Sequence, residues 1–249
     1  MRYVFILISI VNVNNCKGDV LRMKITMVKL YVYDVHKMKE FYCNHLGFTL
    51  IKNTDNFFDI AVGESIITFE KIPYLVKKQY HFALNIPCNL FKQAKSWVKE
   101  YAELLFSEGQ DEVYFDTLKA HSCYFYDPEG NIIELISRQD VNPKQDVESF
   151  SPEQILNIAE MNLTTDAIYS VADSLKEYGI TPMNHNEIRS NALTFMGNYE
   201  DGANLLLGPS ERVWYFSNKK AIVSPIKIEI NKNLQLCMTE DGDFTISQL

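Results

Sequence analysis

Residues 24–48 read KITMVKLYVYDVHKMKEFYCNHLGF, and the change of period inside this stretch decides the fold. Up to Tyr33 it alternates, with Val28, Leu30 and Val32 on one face and Met27, Lys29, Tyr31 and Tyr33 on the other, as a strand between two environments requires. At Asp34, a residue type that caps helices, the spacing lengthens. Val35, Met38, Phe41, Tyr42 and His45 or Leu46 fall at helical intervals, and Gly47 stops the run. Three short extended runs follow, FTLIKN, FFDIAV and SIITFEKI, parted by polar residues and by Gly63-Glu64. The order is strand, helix, then a meander of three strands.

The same order returns about 55 residues later. YHFALNIP is a strand, LFKQAKSWVKEYAELL is an amphipathic helix, and extended segments follow at 112–115, 121–126 and 131–138. The last two are joined by Asp127-Pro128-Glu129-Gly130-Asn131, where proline presets a turn torsion and glycine or asparagine tolerates a positive one. Residues 24–139 thus form one module of two units. A linker rich in Asp, Pro, Gln and Ser, residues 140–152, leads to a third βαβββ-like unit over 153–231. That unit has the strand ILNIAEMNLTT, a helix from Asp166 to Tyr178, strands at 192–199 and 204–208 and the run VSPIKIEI, with no sign of a fourth helix. Residues 232–249 read as a polar C-terminal tail.

At 249 residues, the chain has room for one or two domains with a substantial core. Its 47% hydrophobic and 22% charged residues match folded globular proteins. A net charge of -8 opposes binding to phosphate backbones, so no nucleic acid is expected as partner. The 5 cysteines form no Cys-x-x-Cys pair, which excludes a zinc ribbon or a thioredoxin-like motif and fits reduced thiols in a cytoplasmic protein. Residues 1–23 stand apart as an N-terminal extension. MRYVFILISIVNV is too short to span a bilayer, and Asn14-Asn15-Cys16-Lys17 lacks the small residues a signal peptidase reads. No membrane partner is expected. A short extra strand or an over-extended start, with Met23 the true first residue, is the preferred reading, and export is the alternative.

Paired β-α-β-β-β units, the LYVYDVHKMKEFYCNHLGF helix entry and the string YFYDPEGNIIEL together resemble the vicinal oxygen chelate superfamily over Lys24 to Arg138. That superfamily includes glyoxalase I, fosfomycin-resistance and bleomycin-resistance proteins and extradiol dioxygenases. The third unit is similar to a half-module of glyoxalase-type proteins of this length. The resemblance implies an α+β fold class, with paired βαβββ modules forming a cupped mixed sheet. It also implies a divalent metal (Mn, Fe, Ni or Zn) held in the cup by histidine or glutamate on the first and last strands of each unit.

His81 and Glu134 stand at both such positions of the second unit and are the expected metal ligands, with Glu134 also the natural general base. The first unit departs from the pattern. Met27, seven residues before Asp34, and Thr68 occupy its positions, with Glu70 on the same strand face as Thr68. Lys29 shares the cup-facing side with Met27, so a Lys29–Glu134 ion pair could stand in for the metal. Lys29, Tyr31, Asn85 and Tyr124, with Tyr126, are the candidate ligand-contacting residues. In the third unit the same count back from Asp166 falls on Ala159 and turns Glu160 to the other face, so no metal is expected there. His185 reads as a solvated loop residue and Trp214 as an anchor packing the tail against the sheet.

Two functions follow from this pattern. One is a metal-dependent lyase, isomerase or dioxygenase acting on a small oxygen-rich molecule in a cup built from residues 24 to 138. The other is a metal-free small-molecule binding protein of the bleomycin-resistance type, which the methionine at position 27 favours. In either case the third unit must bury its apolar face against the first module or a partner subunit, so a homodimer is expected.

Overall fold

The computed structural model describes residues 22–249, and the reading of the amino-terminal apolar run lies outside the described residues. The first unit comprises β1 (Ile25–Val32), α1 (Val35–Lys39), β2 (Leu50–Asn53), β3 (Phe57–Val62) and β4 (Ser65–Lys71). Asp34 caps α1 by accepting from the Lys37 amide at 3.0 Å. The helix then widens into a π-helical turn over Glu40–His45, which sets Phe41 and Tyr42 side by side against the sheet.

The second unit comprises β5 (His81–Asn85), α2 (Phe91–Lys99), β6 (Val113–Phe115), β7 (Ala120–Tyr126) and β8 (Ile132–Arg138). The third has β9 (Asn157–Thr164), α3 (Ile168–Glu177), β10 (Thr194–Met196) and β11 (Asn204–Gly208). Each unit pairs its first strand in parallel with its last: β1 with β4, β5 with β8, and β9 with β11. The α+β architecture of cupped βαβββ units is the one the sequence implies.

The partnering of the units is different from the expectation. β1 and β5 are not neighbours. β5 pairs antiparallel with β9, which makes a continuous sheet β6-β7-β8-β5-β9-β11-β10 from residues 113–208 and the strand at 81–85. β1 pairs antiparallel with β12 (Ile226–Ile230), followed by β13 (Leu234–Met238) and β14 (Phe244–Gln248), giving β2-β3-β4-β1-β12-β13-β14. The two sheets meet at one pairing, Ile25 with Ile158. A strand has only two edges, and once β12 holds the free edge of β1, that of β5 is left for β9.

The second cup is therefore nested inside the first, whose halves come from the two ends of the described chain. The Lys24 amide donates to Asn231 Oδ1 at 2.8 Å where those halves close. Residues 232–249, expected as a polar tail, form two strands instead. Asn231 and Lys232 both take left-handed torsions, at φ 54° and 59°, and turn the chain back on β12. Leu236 and Met238 then bury their side chains. Along the described residues, no helix is long and apolar enough to cross a membrane.

The turn at Asp127–Asn131 joins the two cups. Asp127 Oδ1 accepts from the amides of Glu129 and Asn131, both at 2.9 Å, while its Oδ2 accepts from the Tyr42 hydroxyl at 3.1 Å. Glu129 in turn accepts from the Tyr33 and Asp34 amides, each at 2.8 Å, and pairs with the buried Lys78. The helix entry of the first unit is thus fastened to the hairpin of the second.

Candidate metal centre

Ala83 in the middle of β5 is fully buried and has two ladder partners, Glu134 on β8 and Glu160 on β9. Residues opposite one another in a ladder share a face, so the two carboxylates point into the same cup on either side of a methyl group. His81, two residues before Ala83, joins them on that face. The three side chains are 5%, 3% and 3% exposed for His81, Glu134 and Glu160, and their ligand atoms all lie within 4.8 Å of one another.

His81 Nδ1 lies 3.2 Å from the Ile132 carbonyl, an acceptor, which assigns the proton to Nδ1. Nε2 is left facing Glu134 Oε2 at 3.5 Å with its lone pair available. Glu160 accepts from Arg138 Nη2 at 2.6 Å, and Arg138 Nη1 donates to Asn85 Oδ1 at 2.8 Å. Burial pushes the Glu160 carboxyl up to about 7, and the neighbouring Glu134 charge adds to that, against the opposing pull of Arg138. Burial also holds the Tyr124 phenol well above its usual value, with the Glu134 charge acting in the same direction, so the phenol stays protonated.

Two buried carboxylates therefore share one guanidinium, an arrangement short of positive charge. One imidazole nitrogen and two carboxylates are the donor set of a divalent ion such as Mn, Fe, Ni or Zn. The residues present fit such an ion. His81, Glu134 and Glu160 face a cavity of about 590 Å³ whose wall includes Phe115, Leu118, Tyr124, Phe195, Leu206 and Trp214. Its roof is the segment between β11 and β12, in which Trp214, Phe216 and Ala221 pack onto Tyr124, Ile132 and Leu206.

Glu160 is the residue that sequence reasoning turned the wrong way. The count back from Asp166 assumed that this aspartate caps its helix as Asp34 does. In the structure Ala167 stands at the cap and α3 begins at Ile168, so Glu160 precedes α3 by the same interval that separates Met27 from α1. A β-bulge reinforces the change. Ala83 pairs with Glu160 but Leu84 with Ile158, leaving Ala159 unpaired and breaking the alternation. The third unit, expected to hold no ligand, brings Glu160 into the cluster with His81 and Glu134.

The other candidate residues separate between the two cups. Tyr124 lines the cavity beside Glu134. Asn85 lies off it, holding Arg138 and donating to Asn157 Oδ1 and the Gly202 carbonyl, both at 2.7 Å. Lys29 and Tyr31 sit on β1 in the other cup, where Lys29 pairs with Glu70 and not with Glu134. There Lys29 has Thr68 and Lys227 as ladder partners, just as Ala83 has Glu134 and Glu160. The outer cup thus carries Met27, Thr68 and Lys227 where the inner one carries His81, Glu134 and Glu160, and has lost the donor set. Trp214 does more than anchor: its ring lies 4.8 Å from that of His81.

Comparison with known proteins agrees with this geometry. Residues 24–135 match the sequence model of the Glyoxalase/Bleomycin resistance protein/Dioxygenase superfamily, and residues 158–212 match that of Toxoflavin-degrading enzyme. A variant of glyoxalase I from Zea mays, 11% identical, superposes with a TM-score of 0.56 over 91% of this chain and 92% of that one. Glyoxalase I from Zea mays gives 0.54 with the same identity and coverage. A Bacillus subtilis protein provisionally named a dioxygenase gives 0.53 at 16% identity over 75% of this chain, which spans only 63% of that protein. At these identities the likeness is one of fold. No curated protein sequence matches the chain.

Proposed function

Residues 24–135 make this a chain of the vicinal oxygen chelate superfamily, and from that premise we propose that its inner cup is a divalent-metal-dependent enzyme site of the lyase, isomerase or dioxygenase type, acting on a small oxygen-rich molecule. The observation that carries this reading is the buried His81–Glu134–Glu160 cluster at the floor of a cavity of ligand size. The match of residues 158–212 to Toxoflavin-degrading enzyme supports degradative chemistry, and those residues include Glu160, Leu206 and Arg212.

A metal bound by His81, Glu134 and Glu160 would supply Lewis acidity to the oxygens of a chelating substrate. The chain's own residues do the rest. The Ile132 carbonyl fixes the His81 tautomer, so that Nε2 is presented as a ligand without a change of protonation. Arg138 and Asn85 hold Glu160 in place from outside the cavity. Glu134, beside the protonated Tyr124 hydroxyl, is the residue positioned to take a proton from a substrate carbon or hydroxyl. The aromatic walls offer an apolar bed for the rest of the ligand.

A second reading, a metal-free binding cup, draws on a specific contact. The Arg138–Glu160 ion pair at 2.6 Å already offsets one of the two carboxylates. The deciding measurement is metal content by plasma mass spectrometry on untagged protein prepared without chelator. Near-stoichiometric metal is expected in the wild type and its loss in His81→Ala, Glu134→Gln and Glu160→Gln. A wild type that stays metal-free after reconstitution with Mn, Ni and Zn would leave the binding cup as the function.

A further inference from the structure

Arg212 and Trp214 bring unused donors to the roof of the same cavity. The Arg212 guanidinium stacks on the Trp214 ring, 4.1 Å from its centroid, and that ring in turn lies against His81. Arg212 Nη1 donates to the Val213 carbonyl at 3.2 Å. Its Nε and Nη2 atoms are buried and have no hydrogen-bond partner among the described residues, and the same holds for Trp214 Nε1. Buried donors left unpaired are costly, so a fold that keeps three of them around one cavity calls for an acceptor from outside the chain.

The pattern of unpaired atoms is specific. Nε–H and the nearer Nη2–H lie along one edge of a guanidinium and point in parallel, the fork that grips two coplanar oxygens. Burial lowers the Arg212 pKa, and no neighbouring charge opposes that shift. Among the described residues, Arg212 is the one cationic side chain on a cavity wall whose charged residues are otherwise Glu134 and Glu160. The guanidinium and the carboxylates share their cavity with five aromatic side chains, Tyr124, Trp214, Tyr215, Phe115 and Phe195.

We infer that the ligand of this cavity is a planar aromatic compound that bears a carboxylate-like group, with that group seated on the Nε–Nη2 edge of Arg212 beside the Trp214 indole. This deepens the function proposed above and rests on the cavity being the ligand site. It does not require that a metal be present.

The test is calorimetric titration with 2-naphthoate and its neutral counterpart 2-naphthamide on EDTA-treated protein, where Arg212 is the only cation that the described residues bring to the cavity. Arg212→Gln is expected to weaken 2-naphthoate by about tenfold or more while changing 2-naphthamide by less than about twofold, because only the anion loses a charge-assisted fork. Arg212→Lys, which keeps the charge without the fork, should fall between. Equal weakening of both probes, an unchanged 2-naphthoate affinity, or no binding of 2-naphthoate to the wild type would overturn the inference. The metal content of wild type and Arg212→Gln, measured alongside, reports separately on the enzyme reading and is expected to be the same in both.

Discussion

Arg138 is buried, 1% exposed, and its two terminal nitrogens are divided between Glu160 and Asn85. Removing one partner of a buried pair leaves an uncompensated charge, so Arg138→Met is expected to destabilise the metal-free protein by about 3–5 kcal/mol. The double variant Arg138→Met/Glu160→Gln should recover much of that loss, since neither member of the pair is left behind as a lone charge. Urea unfolding midpoints of the wild type, Arg138→Met, Glu160→Gln and the double variant check it, and an Arg138→Met variant as stable as the wild type would refute the pairing. His81 and Glu134 were legible as candidate ligands because each lies in a motif that marks its place in a unit. Glu160 was hidden by one residue. The period of a strand is two, so a slip of one in the count or a single bulge turns a side chain to the opposite face. Arg212 carried no signal at all, because its role depends on a chain crossing that no local pattern records.

At the scale of elements, α2 is fastened to the loop before β6 by Lys95, which donates to Asp111 Oδ1 at 2.6 Å and also pairs with Glu112. Lys99 reaches Asp111 Oδ2 at 2.9 Å. Hydrogen bonds from the two lysines hold the Asp111 carboxyl below its ordinary 3.8. Burial alone would lower the Lys95 ammonium, but the bonds to Asp111 and Glu112 carry it above 10.5. A depressed carboxyl contributes stability above its unfolded pKa and loses it as pH falls through the folded value, whereas a raised ammonium contributes until pH climbs past its own. Lys95→Met should therefore cost about 0.5–1 kcal/mol across the neutral range, as partly exposed pairs do. Below about pH 4 the difference from wild type should close, and chemical denaturation at pH 7 and pH 3 measures it. A gap that is constant with pH would assign the effect to packing.

Gly63 sits in the turn between β3 and β4 with φ at 55°. A Cβ there would lie 2.1 Å from the Leu156 carbonyl oxygen, in the segment that leads into β9. Backbone cannot yield as a side-chain tip can. Gly63→Ala is expected to lose about 2 kcal/mol or more, and to loosen the seam between the two cups first, which hydrogen exchange at the Glu64 and Ile158 amides would register.

For the whole molecule, the nesting of one cup inside the other makes the last three strands essential to the first unit. β12 covers the edge of β1 along residues 25–30, and its Ile226, Ile228 and Ile230 belong to the main core. A chain ended at Pro225 would expose that edge together with an apolar face, and is expected to aggregate or to lose cooperative unfolding. Size-exclusion chromatography and thermal melting test this, and a monomeric truncated chain with an unchanged melting point would contradict the nesting.

The amino-acid sequence by itself determined the three helix-bearing units, the Asp127–Asn131 turn and the positions of His81 and Glu134. These follow from periodicity, caps and turn residues, whose reach is a few positions along the chain. Only the tertiary structure decided which units share a cup, that the final residues are strands, and that Glu160 and Arg212 join His81 and Glu134 around one cavity. Strand edges offer the same amide and carbonyl groups whatever their sequence, so the choice among partners falls to long-range packing and chain connection, and the site is assembled by that choice.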